Sequence, residues 1–245
     1  MSIDQSFTRD NLNDYLKALA KEFRRLSGTK TPAEIILIGG AAILVNYGFR
    51  ELTYDIDAII IASSAMKTAI NKVGDLFNLP NGWLNADFKR TDSYSDKLIE
   101  VSVYYKTYSN VMQIRTVAAE YLIAMKLMSG RRYKNDISDI YGILWEHQKS
   151  GTPISRDSID RAIEALYGNT PNIPKISLEI LEKAFSDGDF ENLYKQSRED
   201  EKKAREILVV FEEEYPNTLK TENIDKIIDG MKRKRDSSVK NNSDG

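Results

Sequence analysis

Two aspartates, Asp55 and Asp57, stand one residue apart in a segment where Ile56, Ala58 and Ile60 alternate with them. This alternation predicts a β-strand over residues 54–61 with both carboxylates on one face. Carboxylates placed so closely repel each other unless a divalent cation neutralises them, and Mg²⁺ prefers such oxygen ligands. The pattern therefore predicts that Asp55 and Asp57 bind Mg²⁺ or Mn²⁺. The alternative is an ordinary solvated strand face, where this spacing is also common.

Upstream, the pair Gly39-Gly40 follows the apolar run 35–38 and precedes the apolar run 41–45. This order indicates a strand, a tight turn and a helix. Backbone N–H groups at a helix N-terminus bind phosphate, and glycine lets the phosphate approach closely. A turn without a ligand explains the glycines equally well, but the two carboxylates on the next strand favour a site where phosphate and metal meet.

The elements that would position these residues change type along the chain. Apolar spacing predicts helices over 8–26 and 65–77, and strands over 35–38, 98–105 and 111–115. From residue 117 onward the spacing is helical, with later helices at 155–167, 175–185, 189–215 and 221–234. We expect an α+β fold: a small mixed sheet with flanking helices in an α/β domain (1–115), a helical domain (116–235) and a disordered tail (236–245).

Composition excludes several kinds of chemistry. The chain of 245 residues has no cysteine and a single histidine, His147. Thiolate catalysis, sulfur-bound zinc and multi-histidine metal sites are therefore excluded within one chain. No apolar run is long enough for a membrane span, and the N-terminus lacks the pattern of a secretory signal, so we expect a cytoplasmic protein.

The segment LIGGAAILVNYGFRELTYDIDAII resembles the DNA polymerase beta-like nucleotidyltransferase superfamily. In that superfamily a Gly-Gly or Gly-Ser turn precedes a D-x-D strand, and a third carboxylate lies on a later strand. The resemblance implies that Glu100, in LIEVSVYY, joins Asp55 and Asp57 in holding two metal ions. An exposed strand glutamate without a catalytic role is the alternative for Glu100.

A second segment, AEYLIAMKLMSGRRYKNDISDIYGI, is similar to the AbiEii/MenT-type nucleotidyltransferases, which are toxins of type IV toxin–antitoxin systems. Their helical lysine and following aspartate match Lys126 and Asp136, and Asp139 comes one turn later. The resemblance implies that Lys126 neutralises triphosphate charge while Asp136 orients the lysine or binds the acceptor. Alternatively, Lys126 extends to solvent from an apolar helix and Asp136 caps the next helix.

Other residues near these motifs also have two interpretations. Arg50 and Thr53 precede the aspartates as Arg-x-x-Thr, a lead-in seen in Gly-Gly relatives, so Arg50 is either a phosphate ligand or a surface arginine. Many relatives carry serine after the first glycine, whereas Gly40 offers only its backbone. Three tyrosines could stack on bases, with packing at the edge of the core as the alternative: Tyr104, Tyr105 and Tyr108. Three basic residues could contact RNA, with a solvated loop between helices as the alternative: Arg131, Arg132 and Lys134.

The resemblance implies an enzyme that transfers a nucleoside monophosphate from a nucleoside triphosphate (NTP) to an acceptor hydroxyl. The toxin relatives suggest RNA, especially the tRNA 3′ end, as acceptor and a cognate antitoxin as partner. One alternative is the same chemistry on an aminoglycoside or lincosamide antibiotic. Another is a catalytically silent module that only binds nucleotide.

Overall fold

A computed structural model describes residues 6–168, 173–220, 223–231 and 233. It has strands β1 (Phe7–Thr8), β2 (Ala33–Leu37), β3 (Leu52–Thr53), β4 (Ile56–Ile61), β5 (Leu84–Asn85), β6 (Ser102–Tyr108) and β7 (Met112–Val117). Its helices are α1 (Arg9–Ser27), α2 (Gly39–Asn46), α3 (Ala65–Phe77), α4 (Ala119–Ser129), α5 (Asp136–Lys149), α6 (Arg156–Tyr167), α7 (Lys175–Asp187) and α8 (Phe190–Glu214). Residues 224–231 are also helical.

Five strands form a mixed sheet in the order β5-β4-β2-β7-β6, and β1 pairs with β3. The central strand β2 runs antiparallel to β4 and parallel to β7, while β6 is antiparallel to β7. This arrangement confirms the predicted α+β fold with a mixed sheet, flanking helices and further helices toward the C-terminus. No helix in the described ranges is both long and apolar enough to cross a membrane.

Helix α1 illustrates how local sequence sets an element. Thr8 and Asn11 exchange reciprocal side-chain to backbone hydrogen bonds that satisfy N–H groups at the helix start. Leu12, Leu16 and Leu19 lie on its buried face. The predicted helix over 8–26 is confirmed, with Thr8 as its N-cap and its last helical residue at Ser27.

The strand predicted over residues 98–105 begins later than expected. Leu98 ends a 3-10 turn that starts at Asp96, residues 99–101 form a further turn, and β6 begins at Ser102. The N–H groups of Glu100 and Val101 both donate to the carbonyl of Lys97, so neither N–H group is available to the sheet. The alternating pattern was misleading here because it extends into a hydrogen-bonded turn.

Several other boundaries shift by one or two residues, and three short strands, β1, β3 and β5, were not predicted. Strand β4 begins at Ile56, so Asp55 immediately precedes it, and β7 covers Met112–Val117 where 111–115 was expected. Strands β3 and β5 have two residues each, too few to show a period of two. The predicted tail 236–245 and parts of the predicted helix 221–234 lie outside the described residues.

One apolar core extends from Phe7 to Leu193 and includes residues from the sheet and from helices α4 to α8. Helix α4 lies centrally, because Leu122, Ile123 and Ala124 are each at most 1% exposed. A smaller apolar cluster joins Ala204 and Leu208 of α8 to Ile224 and Ile228. Thus α4 and α5, which carry Lys126 and Asp136, are anchored against the sheet by continuous packing; the division at residue 115 stays a prediction.

Candidate functional site

The glycine pair and the aspartate pair meet at one edge of the sheet. The Ile38 N–H donates to the Asp57 carbonyl at 3.0 Å, immediately before Gly39 opens helix α2. Gly39 has φ +53°, in the left-handed region that glycine adopts at little cost. No described side chain caps α2, so its first N–H groups point out of this edge beside Asp57.

Asp55 and Asp57 differ in exposure. Asp55 is exposed and accepts a hydrogen bond from Thr53 Oγ1 at 3.3 Å, whereas Asp57 is half-buried. Burial and the charge of Asp55 raise the pKa of Asp57 to about 6, although Lys134 and Arg131 oppose the rise. The pair is therefore a concentration of negative charge that no cation of the described residues contacts, which is the electrostatic setting that a divalent cation stabilises.

A third acid reaches this edge from β5. Asp57 pairs in register with Asn85, and Asp87 follows in the next turn, where its charge also contributes to the raised pKa of Asp57. Among the residues that the structure describes, no three carboxylate or histidine side chains are close enough together to form a metal site by themselves. Any cation bound here would depend on water or substrate oxygens for its remaining ligands.

Glu100, the expected third carboxylate, lies in the exposed turn before β6. Strands β2 and β7 separate β6 from β4, which corresponds to about 14 Å along the sheet at the usual strand spacing. Glu100 is thus near the same end of the sheet as Asp57, but in the turn that precedes a distant strand. Its predicted role as a metal ligand stays a prediction.

Gly40 is closely surrounded by Arg50 and Thr53. A Cβ atom at position 40 would lie 2.6 Å from Thr53 Oγ1 and 2.8 Å from Arg50 Nη2. The guanidinium of Arg50 therefore occupies the space that a serine side chain would need. This contact gives a physical reason for glycine in place of the serine found in many relatives.

Lys126 lies in a buried cluster of ionic contacts. Its Nζ atom is 2.6 Å from Asp136 Oδ1 and 2.9 Å from Asp139 Oδ2, and the residue is only 8% exposed. Arg131 Nε donates to Asp136 Oδ2 at 2.8 Å. These contacts contradict the alternative in which Lys126 extends to solvent, because its ammonium group is enclosed by carboxylates.

The cluster determines the ionisation of its members. Burial raises the pKa of Asp136, but Lys126 and Arg131 more than reverse this effect and hold that pKa well below its usual value. Burial conversely lowers the pKa of Lys126, and Asp136 and Asp139 reverse it, so the ammonium stays charged. Lys126, Arg131 and Asp136 are thus ionised at neutral pH.

Asp139 connects this cluster to the sheet edge. Its Oδ2 atom accepts from Arg50 Nη1 at 2.5 Å as well as from Lys126. Arg50 continues through Nη2 to Thr53 Oγ1 at 3.5 Å, and Thr53 donates to Asp55. An unbroken series of polar contacts therefore runs from Lys126 to the aspartate pair.

Asp139 was assigned no role from the sequence, and Arg131 was expected only as a candidate RNA contact, not as a partner of Asp136. The spacing of Asp136 and Asp139, three residues apart on a helix, places both on one face and could have indicated a shared partner. Arg50 is 89 residues from Asp139, so no local pattern could have joined them. Asp87 follows a strand too short to detect, and its position was likewise missed.

A buried glutamate supports the start of α5. Glu201 of α8 accepts from the Ser138 N–H at 3.0 Å and from Ser138 Oγ at 2.6 Å, and it is 1% exposed. Burial raises the pKa of Glu201 to about 7 despite these hydrogen bonds, and the charge of Asp139 adds to the rise. Helix α8 is thereby attached to the helix end that carries Asp136 and Asp139.

The remaining candidates have different surroundings. Tyr108 is buried and donates to Asn13 Oδ1 at 2.6 Å, Tyr105 is partly buried, and Tyr104 is 61% exposed on the edge strand. Arg132 pairs with Asp229 at 3.2 Å. His147, in the last turn of α5, contacts Tyr47 Oη through Nε2 at 3.2 Å.

Comparison with known proteins gives one match. The model of the family DUF6036, described as a nucleotidyltransferase of unknown function, matches residues 14–145. No curated protein matches the chain, and no solved structure does. The match includes Gly39, Asp57, Lys126 and Asp139 and supports nucleotidyl transfer as the general reaction; the AbiEii/MenT-type branch stays a prediction. Because the matched segment is more than half of the chain, the protein belongs to this nucleotidyltransferase family.

Proposed function

We propose that this protein is a metal-dependent enzyme that transfers a nucleoside monophosphate from an NTP to an acceptor hydroxyl. The observation that carries the proposal is the contact between Ile38 and Asp57, which brings the open N-terminus of α2 beside the aspartate pair. Phosphate oxygens and a divalent cation need these two environments next to each other.

The triphosphate would be held by the N–H groups at the start of α2 and by Arg50. Gly39 leaves the approach to the backbone open, because a Cβ atom there would meet nothing within 4 Å. Arg50 is already oriented by Asp139 and by the Leu52 carbonyl, so little side-chain entropy is lost when it binds phosphate. Lys126 and Arg50 both contact Asp139, so a second positive charge lies close to Arg50.

Asp55 and Asp57 fit Mg²⁺ or Mn²⁺ because they offer hard oxygen ligands that no lysine or arginine in the described part of the chain contacts. Asp87 and Glu100 are the two candidates for a further acidic ligand. When bound, the metal would neutralise negative charge on the triphosphate and on the departing pyrophosphate.

In this reaction the acceptor oxygen forms a bond to the α-phosphorus while the bond from that phosphorus to the bridging oxygen of pyrophosphate breaks. Pyrophosphate leaves with the electron pair, and the acceptor proton passes to a carboxylate of the sheet edge. The positive charges of Arg50 and Lys126 stabilise the charge that develops on the phosphate oxygens. The buried cluster holds these cations in place before substrate binds, so they need no reorganisation.

We propose RNA, especially the tRNA 3′ end, as the acceptor and a type IV toxin with a cognate antitoxin as the biological role. The resemblance of the Lys126 and Asp136 segment to the toxin helices supports this choice. The cationic Arg131 and Lys134 also lie near enough to Asp57 to affect its pKa. An RNA backbone entering the site would meet positive charge beside the carboxylates.

The experiment is incubation of total RNA with each α-labelled NTP and Mg²⁺ or Mn²⁺. We expect label in RNA with the natural protein and none with Asp57→Ala. A screen in which RNA, protein and small acceptors all stay unlabelled, while calorimetry detects NTP binding, would instead support a silent binding module. Growth arrest on expression, relieved by a neighbouring gene product, is expected for a toxin; antibiotic resistance without arrest would contradict that role.

A further inference from the structure

Helix α8 carries a row of cations near the candidate site. Arg198, Lys202 and Arg205 follow at intervals of four and three residues, which places them on one face of the helix, and all three are exposed. We refer to these residues as the α8 basic stripe. The helix as a whole has more acidic than basic residues, so the stripe is a local feature of one face.

Two members of the stripe converge on a single neutral atom. Nη1 of Arg198 and Nη1 of Arg205 donate to Asn135 Oδ1 at 3.1 and 2.8 Å. Within the described residues, neither arginine forms an ion pair with a carboxylate. Two positive charges are therefore held close together around an amide oxygen that neutralises neither of them.

The position of this convergence adds to the excess of positive charge. Asn135 is the N-cap of α5, the end where the helix dipole is positive, and its side chain makes no capping hydrogen bond. Cations are disfavoured at such a helix end unless an anion is also present. The nearby Lys126 and Arg131 are ion-paired with Asp136 and Asp139. Among the described residues the two stripe arginines form no ion pair, and the buried Glu201 interacts with Arg198 only at longer range.

The stripe is also continuous with the reaction centre. Lys134, which directly precedes Asn135, acts electrostatically on Asp57 together with Arg131. Positive charge therefore extends from the sheet-edge carboxylates, along the loop between α4 and α5, to the exposed face of α8. A guanidinium fork is well suited to phosphate oxygens, and two forks on one site favour a polyanion over a single small anion.

We infer that the α8 basic stripe, together with Lys134, is the docking surface for the phosphodiester backbone of a nucleic-acid acceptor. This inference rests on the proposed nucleotidyl transfer only for the direction of the strand, whose reacting end would lie at Asp57. The stripe itself binds backbone phosphates of the nucleic acid some distance from the reacting end, and this distance is fixed by the separation between the stripe and Asp57. RNA and DNA share this backbone chemistry, and the test below separates them.

The test measures binding of the full-length protein to fluorescein-labelled single-stranded RNA and DNA of the same base order, without NTP, by fluorescence anisotropy. Arg198→Gln combined with Arg205→Gln should weaken binding at least about fivefold near 0.1 M salt. It should also reduce the slope of log K against log salt by about 1.4, because each lost contact with a single strand removes about 0.7. RNA bound more tightly than DNA would identify RNA as the acceptor.

Lys203→Gln is the matched control. Lys203 lies on a different face of α8, is exposed and contacts only Glu199 at 3.7 Å among the described residues, so its variant should bind within about twofold of the natural protein. Lys202→Glu gives an independent test without disturbing Asn135 and should weaken binding at least as much as either arginine change alone. Thermal melts of each variant establish that the fold is kept.

Equal losses in the stripe and control variants, or an unchanged salt slope, would overturn the inference. Competition by polyglutamate as strong as competition by RNA would also overturn it and indicate an acidic protein partner. Failure of the proposed function is distinguishable: stripe-dependent binding without any transfer of label refutes the transfer reaction alone. Normal labelling of RNA by the stripe variants refutes the docking surface alone.

Discussion

Two groups of carboxylates lie a few contacts apart in this protein, and they are in opposite electrostatic states. At the sheet edge, burial and Asp55 raise the pKa of Asp57 to about 6. At the start of α5, Lys126 and Arg131 hold the pKa of Asp136 well below its usual value against the effect of burial. Burial opposes ionisation at both places, so the neighbouring cations account for the difference.

The difference in neighbouring cations gives the two carboxylate groups different roles. The cluster around Asp136 is neutralised by protein cations and is complete before any ligand binds, which suits positioning. The pair Asp55 and Asp57 is not neutralised and gains stability when a cation from solution binds. Arg50 lies between the two groups and is held by Asp139 from one side and contacts Thr53 on the other.

The largest expected effect comes from removing the negative charge at the sheet edge. Asp57→Asn should lower the rate of nucleotidyl transfer at least about 1000-fold, because several kcal/mol of metal-dependent charge stabilisation are lost. Its stability without metal should not fall, since a repulsive carboxylate has been replaced by a neutral amide. Initial rates with saturating Mg²⁺ and urea denaturation without it measure the two quantities.

The same assay ranks the remaining acids. A loss for Asp87→Asn that approaches the loss for Asp57→Asn would assign the third carboxylate to the strand beside β4. The corresponding loss for Glu100→Gln would assign it to the turn before β6 instead. Activity of Asp57→Asn within tenfold of the natural protein would contradict the proposed mechanism.

The second prediction concerns the cluster that protein cations neutralise. Lys126→Met should lower the free energy of unfolding by about 3–5 kcal/mol, because Asp136 and Asp139 lose a shared buried partner. Lys149→Met at the end of α5 removes an exposed ion pair with Glu146 and a cation–π contact with Trp145, and should cost about 1 kcal/mol or less. Urea denaturation followed by circular dichroism compares them, and equal losses would show that the cluster is not a structural unit.

The third prediction uses Glu201, which contacts the start of α5 and forms no ion pair within the described ranges. Its pKa is about 7 in the folded protein and 4.5 ordinarily, so the folded state binds the extra proton between these values. Stability from this group is therefore fully present below about pH 4.5 and is lost as pH rises to about 7, by about 3 kcal/mol. Glu201→Gln should remove this component while keeping a hydrogen bond to Ser138.

The measurement is the difference in unfolding free energy between Glu201→Gln and the natural protein at pH 5 and pH 8. We expect the variant to gain relative stability with rising pH. A difference that does not change with pH would mean that Glu201 is ionised throughout. Asp139 and Arg198 also act on Glu201, so Arg198→Gln should shift the transition to higher pH.

The sequence predicted the position of candidate site residues correctly where those residues lie next to segments with a clear apolar pattern. Gly39, Gly40, Asp55 and Asp57 could be placed at a strand, turn and helix because apolar runs flank them, and the structure brings them together at one sheet edge. Lys126 and Asp136 were singled out together by resemblance, and the structure places them in contact at 2.6 Å; their catalytic role stays a prediction.

The parts that could not be predicted depend on contacts between distant segments. Asp139 meets Arg50 across 89 residues, and Glu201 meets Ser138 across 63. The strand prediction for Glu100 was wrong because alternation continues into a locally bonded turn. Asp87 lies just after the two-residue strand β5, which is too short to give a recognisable sequence pattern.

Metal-dependent stabilisation tests the difference between the two carboxylate groups most directly. Thermal unfolding of the natural protein, Asp57→Asn and the exposed control Asp75→Asn would be followed while MgCl₂ replaces KCl at constant ionic strength. We predict that Mg²⁺ raises the Tm of the natural protein and of Asp75→Asn, by about 2.7 kcal/mol of stability at a hundred times its Kd, and leaves Asp57→Asn unchanged. Equal responses of all three proteins, or no response of the natural protein to Mg²⁺ or Mn²⁺, would contradict a cation site at Asp55 and Asp57.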